Sequence, residues 1–315
     1  MPGIHPDITT VFGETPLVRL NALTAGLGAE VLAKLEFYNP GASVKDRLGY
    51  ALIEAAEESG ELQPGGTIVE STSGNTGISL ALIGAARGYR VILTMPASMS
   101  KERRTLLAAY GAELVLTDPY KGMTEAVETA KRIVAETPGA ILARQFESAA
   151  NAAIHRRTTA EEIWRDTEGH VDYFVAGSGT GGTITGVGQV LKERHPEVKV
   201  VLVEPADSPV ISEGRAGGHR IQGIGPNFVP DVLDRSVIDE VITVAFDDAL
   251  TVARELATHE GILAGMSSGA AVWAALQIAA RPEAAGKRIV VIVPDSGERY
   301  LSTALYAHLR DEDAA

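Results

Sequence analysis

The chain is expected to be an α/β protein with two lobes, each an open, twisted, mostly parallel sheet flanked by helices. Three observations point there. Apolar runs rich in Val and Ile, such as "TIVES" (67–71), "VKVVLVEPA" (198–206) and "KRIVVIVPD" (287–295), are near-continuous, as strands buried on both faces require. Stretches of helical periodicity, about 10–15 residues long, separate such runs. The 315 residues are also enough for about two domains.

Taken in order, the first helix is expected to begin in "NPGASVKDRLGY" (39–50), where Ser43 and Asp46 have the spacing of a helix cap. Strand "TIVES" leads into helix "GISLALIGAARG", and strand "YRVILTMP" into helix "KERRTLLAAYG". Strand "AELVLTD", helix "MTEAVETAKRIVAE" and strand "AILARQF" follow. The rhythm then repeats: helix "AEEIWRD", strand "VDYFVAG", helix "GTITGVGQVLKERHP" and strand "VKVVLVEPA". Strand "EVITVA", helices "DDALTVARELATHEG" and "AAVWAALQIAA", and strand "KRIVVIVPD" complete it. Gly60, Gly88, Gly111 and Gly261 stand where helices should stop. The lobe boundary is placed in "QFESAAN" (145–151). This gives an N-terminal lobe of residues 1–148, with a mobile small subdomain and early strands able to cross over, and a C-terminal lobe of 149–315. Open α/β sheets bind ligands at the carboxyl ends of their strands, so the active site is expected between the lobes.

Composition removes several function classes. A 45% hydrophobic and 22% charged composition is that of an ordinary globular protein. A net charge of −13 disfavours a nucleic-acid or anionic-membrane surface. No apolar run reaches the roughly 18 residues that span a bilayer, and the N-terminus lacks a signal-peptide pattern, so a cytoplasmic location is expected. Without cysteine there is no thiolate chemistry, and the seven histidines form no metal-ligand spacing. No metal is expected.

Function is sought in three glycine-rich loops. "ESTSGNTG" (70–77) gathers Thr72, Ser73, Gly74, Asn75 and Thr76 at a helix N-terminus, which suits a carboxylate or phosphate. A plain Ser/Asn helix cap is the bland alternative, but a cap needs one such residue. "GSGTGGTITG" (177–186) follows a strand and opens a helix. Gly177, Gly179 and Gly182 satisfy G-x-G-x-x-G, with Glu204 22 residues further on, so an NAD-dependent dehydrogenase must be weighed. Thr180 and Thr183 add hydroxyls suited to a terminal phosphate, and on this loop alone both readings stand. "GMSSGA" (265–270) matches the nucleophile elbow, with Asp295 and His308 in hydrolase order. His308, however, sits in the charged tail "YAHLRDEDAA", and a loop packing strand on helix is the better reading.

Lys45 raises a different question. It falls in the first helical turn, where the macrodipole disfavours a cation, and shares a face with Leu48, Leu52 and Ala56. Alone, it would be a snorkelling side chain. With three loops of anion-binding or hydroxyl character, it suits pyridoxal phosphate, which needs a lysine, a phosphate cup and a partner for its ring nitrogen. Partial desolvation is expected to lower the amine's pKa.

"NPGASVKDR", "TSGNTG", "GSGTGGTITG", "SSGA" and "PDSGERYLST" resemble the β-family, fold type II, of pyridoxal-phosphate enzymes. Within it they are similar to the A-type O-acetylserine sulfhydrylases, the cysteine synthases, from "GETPLVRL" (13–20) to "ERYLST" (298–303). The resemblance implies that Lys45 is the Schiff-base lysine and that Asn75 bonds the cofactor's 3′ oxygen. It implies that Gly179, Thr180, Gly181, Gly182 and Thr183 hold the phosphate, and that Ser267 meets the pyridine nitrogen. Thr72, Ser73, Asn75, Thr76 and Gln145 would receive the substrate, its α-carboxylate above all, with Gly223 and Gly225 near its amine. The implied reaction is a β-replacement: O-acetyl-L-serine and sulfide give L-cysteine and acetate through an α-aminoacrylate. A homodimer is implied, as is capture of the C-terminal tail of serine acetyltransferase. The nearest alternatives are a B-type or O-phosphoserine sulfhydrylase and a cystathionine β-synthase-like enzyme. Phosphoserine would call for an extra cation, for which Arg215 and Arg220 are the candidates. The chain departs from its relatives at Ser71, often proline, at Met266, often isoleucine, and in "SAANAA", which lacks the usual prolines.

Overall fold

The computed structural model describes residues 3–72 and 74–310. The described residues form two compact units, Met1–Phe12 with Asn39–Asn151, and Gly13–Tyr38 with Ala152–Ala315.

The first unit holds a four-stranded, all-parallel sheet. Its strands are β3 (Thr67–Ser71), β4 (Arg90–Pro96), β5 (Glu113–Thr117) and β6 (Ala140–Leu142), in the order β5-β4-β3-β6. Helices α1 (Lys45–Glu58), α2 (Asn75–Arg87), α3 (Lys101–Ala109) and α4 (Gly122–Glu136) surround it. Strand side chains alternate between two cores, which is why the strands read as continuous apolar runs. Ile68, Val91, Leu93 and Met95 pack with α1, α2 and α3, whereas Val69 and Ile92 meet Ala130 of α4. Helix α2 ends on Gly88, whose φ of 77° places it in the left-handed region that closes the helix onto Gly84 O.

The second unit holds a six-stranded sheet in the order β1-β2-β10-β7-β8-β9. These strands are β1 (Leu17–Arg19), β2 (Glu30–Leu35), β7 (Tyr173–Gly177), β8 (Lys199–Pro205), β9 (Glu240–Val244) and β10 (Arg288–Val293). Only the β1–β2 pair among the described strands is antiparallel. Helices α6 (Thr159–Asp166) and α7 (Gly182–Arg194) pack on the core of Phe174, Val200, Leu202 and Val290. On the other face, α9 (Phe246–Glu260) and α10 (Met266–Ala279) cover Val175, Val201 and Val291. Two further helices, α5 (Ala150–Arg157) and α8 (Val210–Glu213), complete the set used below.

The capping-box expectation for α1 is corrected. The helix begins at Lys45 after Val44, which makes no side-chain cap. Ser43 Oγ accepts the Lys45 N–H at 3.2 Å, and the Asp46 carboxylate accepts the Gly41 N–H. Between Gly41 and Ser43, Ala42 turns the chain with a φ of 55°.

Candidate active site

In the first unit, β3 and β6 are neighbours, so the segments leaving their carboxyl ends lie side by side. The segment after β3 carries Thr72 and, at the start of α2, Asn75 and Thr76. Thr72 Oγ1 accepts the Gly74 N–H at 3.2 Å. The segment after β6 carries Gln145. Thr76 Oγ1 donates to Gln145 Oε1 at 2.7 Å, joining two predicted site residues 69 positions apart. Gln145 is also held through its backbone, its O accepting from Asn151 Nδ2 at 2.8 Å. The backbone that the missing prolines left undefined is therefore fixed by hydrogen bonds. Lys45 is the first residue of α1 and half-buried, on the stripe of buried Leu48, Leu52 and Ala56. Ser73, a predicted carboxylate ligand, lies outside the described residues.

Sequence reading passed over Glu70, which precedes this loop. It is buried, and its carboxylate accepts the backbone N–H groups of Ser71 and Gln145. Burial nevertheless pushes its carboxyl up to about 7. An acid in an otherwise apolar strand run was the available signal.

In the second unit, the loop after β7 leads through Ser178, Gly179 and Thr180 to Gly181, which caps α7 at a φ of 86°. A Cβ on Gly181 would stand 2.9 Å from Leu233 Cβ and 3.1 Å from its Cα. A Cβ on Gly179 would stand 2.9 Å from Gly223 O. Only glycine fits either place, and the bare backbone leaves a cradle whose N–H groups open the first turn of α7. The Gly225 N–H donates to Ser178 O at 2.8 Å, lacing the Gly223–Gly225 loop onto the cradle. Ser267, in the first turn of α10 and 3% exposed, has its Oγ 3.2 Å from where a Gly223 Cβ would lie. The structure thus brings Gly179, Gly223 and Ser267 together. Behind the cradle, His155 Nε2 and Thr183 Oγ1 are hydrogen-bonded at 3.2 Å, while His155 Nδ1 pairs with Thr159 Oγ1 at 2.8 Å. His155 is a second group that sequence reading did not single out.

Two rival readings fail on geometry. The acid of the dinucleotide fingerprint, Glu204, is buried, and its carboxylate accepts the N–H groups of Ile211 (2.8 Å) and Ser212 (3.0 Å) and the Ser212 hydroxyl. It caps α8 and has no role to offer a ribose. For the hydrolase reading, His308 is exposed and Asp295 Oδ2 accepts the Tyr300 hydroxyl, so neither is placed to relay charge to Ser267.

The donor set fits pyridoxal phosphate. The cradle of Gly179, Gly181 and Gly182 with the hydroxyls of Thr180 and Thr183 suits a phosphate monoester. The Ser267 hydroxyl suits a neutral pyridine nitrogen, and Lys45 offers a half-buried amine. Among the described residues, no cluster of His, Asp or Glu is arranged to hold a metal ion. No helix there is long and apolar enough to cross a membrane.

Comparisons with known proteins agree with this chemistry. The chain is 49% identical to a cysteine synthase of Staphylococcus aureus over 302 residues, 96% of this chain and 97% of that one. A solved cysteine synthase from Entamoeba histolytica superposes with a TM-score of 0.95 at 46% identity, covering 98% of this chain and 93% of its own. A solved O-ureido-L-serine synthase gives a TM-score of 0.93, also at 46% identity, over 98% and 97% of the two chains. The model of the family described as pyridoxal-phosphate dependent enzyme matches residues 8–295. With that match spanning both sheets and both loop systems, the chain belongs to the family of pyridoxal-phosphate dependent enzymes.

Proposed function

We propose that this enzyme is a cysteine synthase, converting O-acetyl-L-serine and sulfide to L-cysteine and acetate by β-replacement. The observation that carries the amino-acid half of this reading is the Thr76–Gln145 hydrogen bond. Because Gln145 Oε1 accepts from Thr76, its Nε2 is left as the donor beside a loop of hydroxyls and helix N-terminal N–H groups. Such an array recognises an α-carboxylate. The nearly full-length similarity to cysteine synthases supports the rest.

Thr72, Ser73, Asn75, Thr76 and Gln145 bind and orient the substrate, and Gly223 and Gly225 border its amine. Gly179, Thr180, Gly181, Gly182 and Thr183 would hold the cofactor phosphate, Asn75 its 3′ oxygen and Ser267 its ring nitrogen, with Lys45 as the covalent anchor. Bound pyridoxal phosphate supplies the electron sink that makes the substrate's α-proton acidic and lets acetate leave Cβ. Lys45 Nζ takes that proton from Cα and returns it after sulfide has added at Cβ. Ser267 Oγ is a neutral partner and leaves the ring nitrogen unprotonated. That limits the sink to what elimination needs and disfavours transamination.

An acetyl rather than a phosphoryl leaving group is supported by the two candidate cations. Arg215 bonds Glu213 Oε2 at 3.1 Å, and Arg220 lies over the Phe246 ring at 3.9 Å. Both are engaged with their own neighbours. The proposal extends to a cytoplasmic homodimer whose small subdomain moves when carboxylate binds, and to capture of a serine acetyltransferase C-terminal tail. Light scattering at twice the chain mass and inhibition by a peptide ending in isoleucine test these two associations. The function itself is tested by product analysis with O-acetyl-L-serine and sulfide. L-cysteine formation supports it; turnover of O-phosphoserine alone, or release of a product such as O-ureido-L-serine instead, contradicts it.

A further inference from the structure

Glu70 is the penultimate residue of β3, with 6% of its surface exposed. Its Oε1 accepts the Ser71 N–H at 2.9 Å and its Oε2 the Gln145 N–H at 3.4 Å. One buried carboxylate therefore ties the chain leaving β3 to the chain leaving β6.

The geometry at Arg144 gives this tie its purpose. Arg144 has a φ of 57°, a left-handed conformation that is strained for a non-glycine residue. The Arg144 side chain reaches outward to Glu61 Oε1 at 3.1 Å and does not itself hold the turn. What the turn achieves is to aim the N–H of the next residue, Gln145, at Glu70. Ionised, above about pH 7, the carboxylate is an acceptor only and can take both donors at once. A glutamine in its place would turn an N–H₂ against at least one of them.

We infer that Glu70 is a positioning residue for substrate recognition, holding Arg144 in its left-handed turn and so fixing the Gln145 side chain against Thr76. Glu70 touches no substrate; it acts through Gln145. This deepens the reading of Thr72, Thr76 and Gln145 as the α-carboxylate site and rests on it.

The test is steady-state kinetics of the holoenzyme with Glu70→Gln, Glu70→Asp, Gln145→Ala and the double variant Glu70→Gln/Arg144→Gly. Visible absorbance of the cofactor serves as a check on folding and loading. Glu70→Gln is expected to raise KM for O-acetyl-L-serine about tenfold, the size of one disrupted hydrogen bond to a charged group. KM for sulfide and the absorbance band stay unchanged. Adding Arg144→Gly is expected to recover part of the loss, because glycine holds the left-handed turn without help. A wild-type KM in Glu70→Gln, with KM raised in Gln145→Ala, overturns the role of Glu70 and leaves the carboxylate site standing. A wild-type KM in both overturns the two together. Loss of the absorbance band in both Glu70→Gln and Glu70→Asp makes Glu70 a folding residue and overturns the inference as well.

Discussion

Burial outweighs the backbone donors at Glu70, and the neighbouring Glu147 adds repulsion, so the carboxyl holds its proton up to about 7 instead of 4.5. The folded chain therefore binds this proton more tightly than the unfolded chain. The resulting stabilisation is complete below pH 4.5 and is lost as pH rises through about 7. Removing the titration with Glu70→Gln is expected to flatten the pH dependence of Tm between those values, by an amount on the order of 3 kcal/mol. Parallel melting curves at several pH values check it, and an unchanged slope speaks against a buried, proton-binding Glu70. Lys45 and the three loops stood out in the sequence because each breaks a local rule of charge or composition, whereas Gln145 was named only through the family resemblance. Glu70 was not named, although its charge stood in the open in "TIVES". Its partner Gln145 lies 75 positions away in the chain leaving β6, and only sheet order brings the two together. At the start of α1 the helix opens at Lys45 after Val44, with Ser43 accepting from Lys45 and Asp46 from Gly41, so the cap is set one residue later than the sequence spacing suggests.

At the scale of elements, two glycines at helix ends make opposite predictions. At Gly88, which closes α2, a Cβ would meet nothing within 4 Å, whereas at Gly181, which opens α7, it would meet Leu233. Gly88→Ala is expected to cost about 1 kcal/mol of stability, from the left-handed backbone alone, with kcat unchanged. Gly181→Ala is expected to weaken cofactor retention tenfold or more, at about 1.4 kcal/mol per factor of ten, because its Cβ must displace Leu233 or the cradle. Dialysis followed by absorbance distinguishes them; equal retention in the two variants contradicts the phosphate assignment. Strands and helices were readable in the sequence because both faces of each sheet are covered, which leaves long apolar runs. The loop chemistry was less so. A glycine cradle at a strand-to-helix turn serves a dinucleotide and a phosphate monoester alike, and only the engagement of Glu204 with α8 separates them here.

At the scale of the whole molecule, chain order and folding unit part company. Residues Gly13–Tyr38 belong with the C-terminal unit, where β2 lies between β1 and β10 and runs parallel to β10 over six residue pairs, Arg288↔Glu30 to Val293↔Leu35. A fragment of residues 149–315 would expose the full edge of β10 to solvent. It is expected to melt without cooperativity and to aggregate, and supplying residues 13–38 through a linker restores a cooperative transition. A sharp transition in the bare fragment contradicts that dependence. The sequence suggests a cut near residue 148 with early strands able to cross over, but nothing local marks which strand, more than 250 positions later, they pair with.

The central claim, that Lys45 carries a cofactor used for β-replacement on O-acetyl-L-serine, is tested most directly by visible absorbance of purified protein before and after that substrate is added alone. Wild-type protein is expected to be yellow and to change its spectrum with O-acetyl-L-serine before any sulfide is present, while Lys45→Ala lacks the band and the response. A colourless wild-type protein after loading with pyridoxal phosphate, or a Lys45→Ala variant that keeps both band and response, contradicts it.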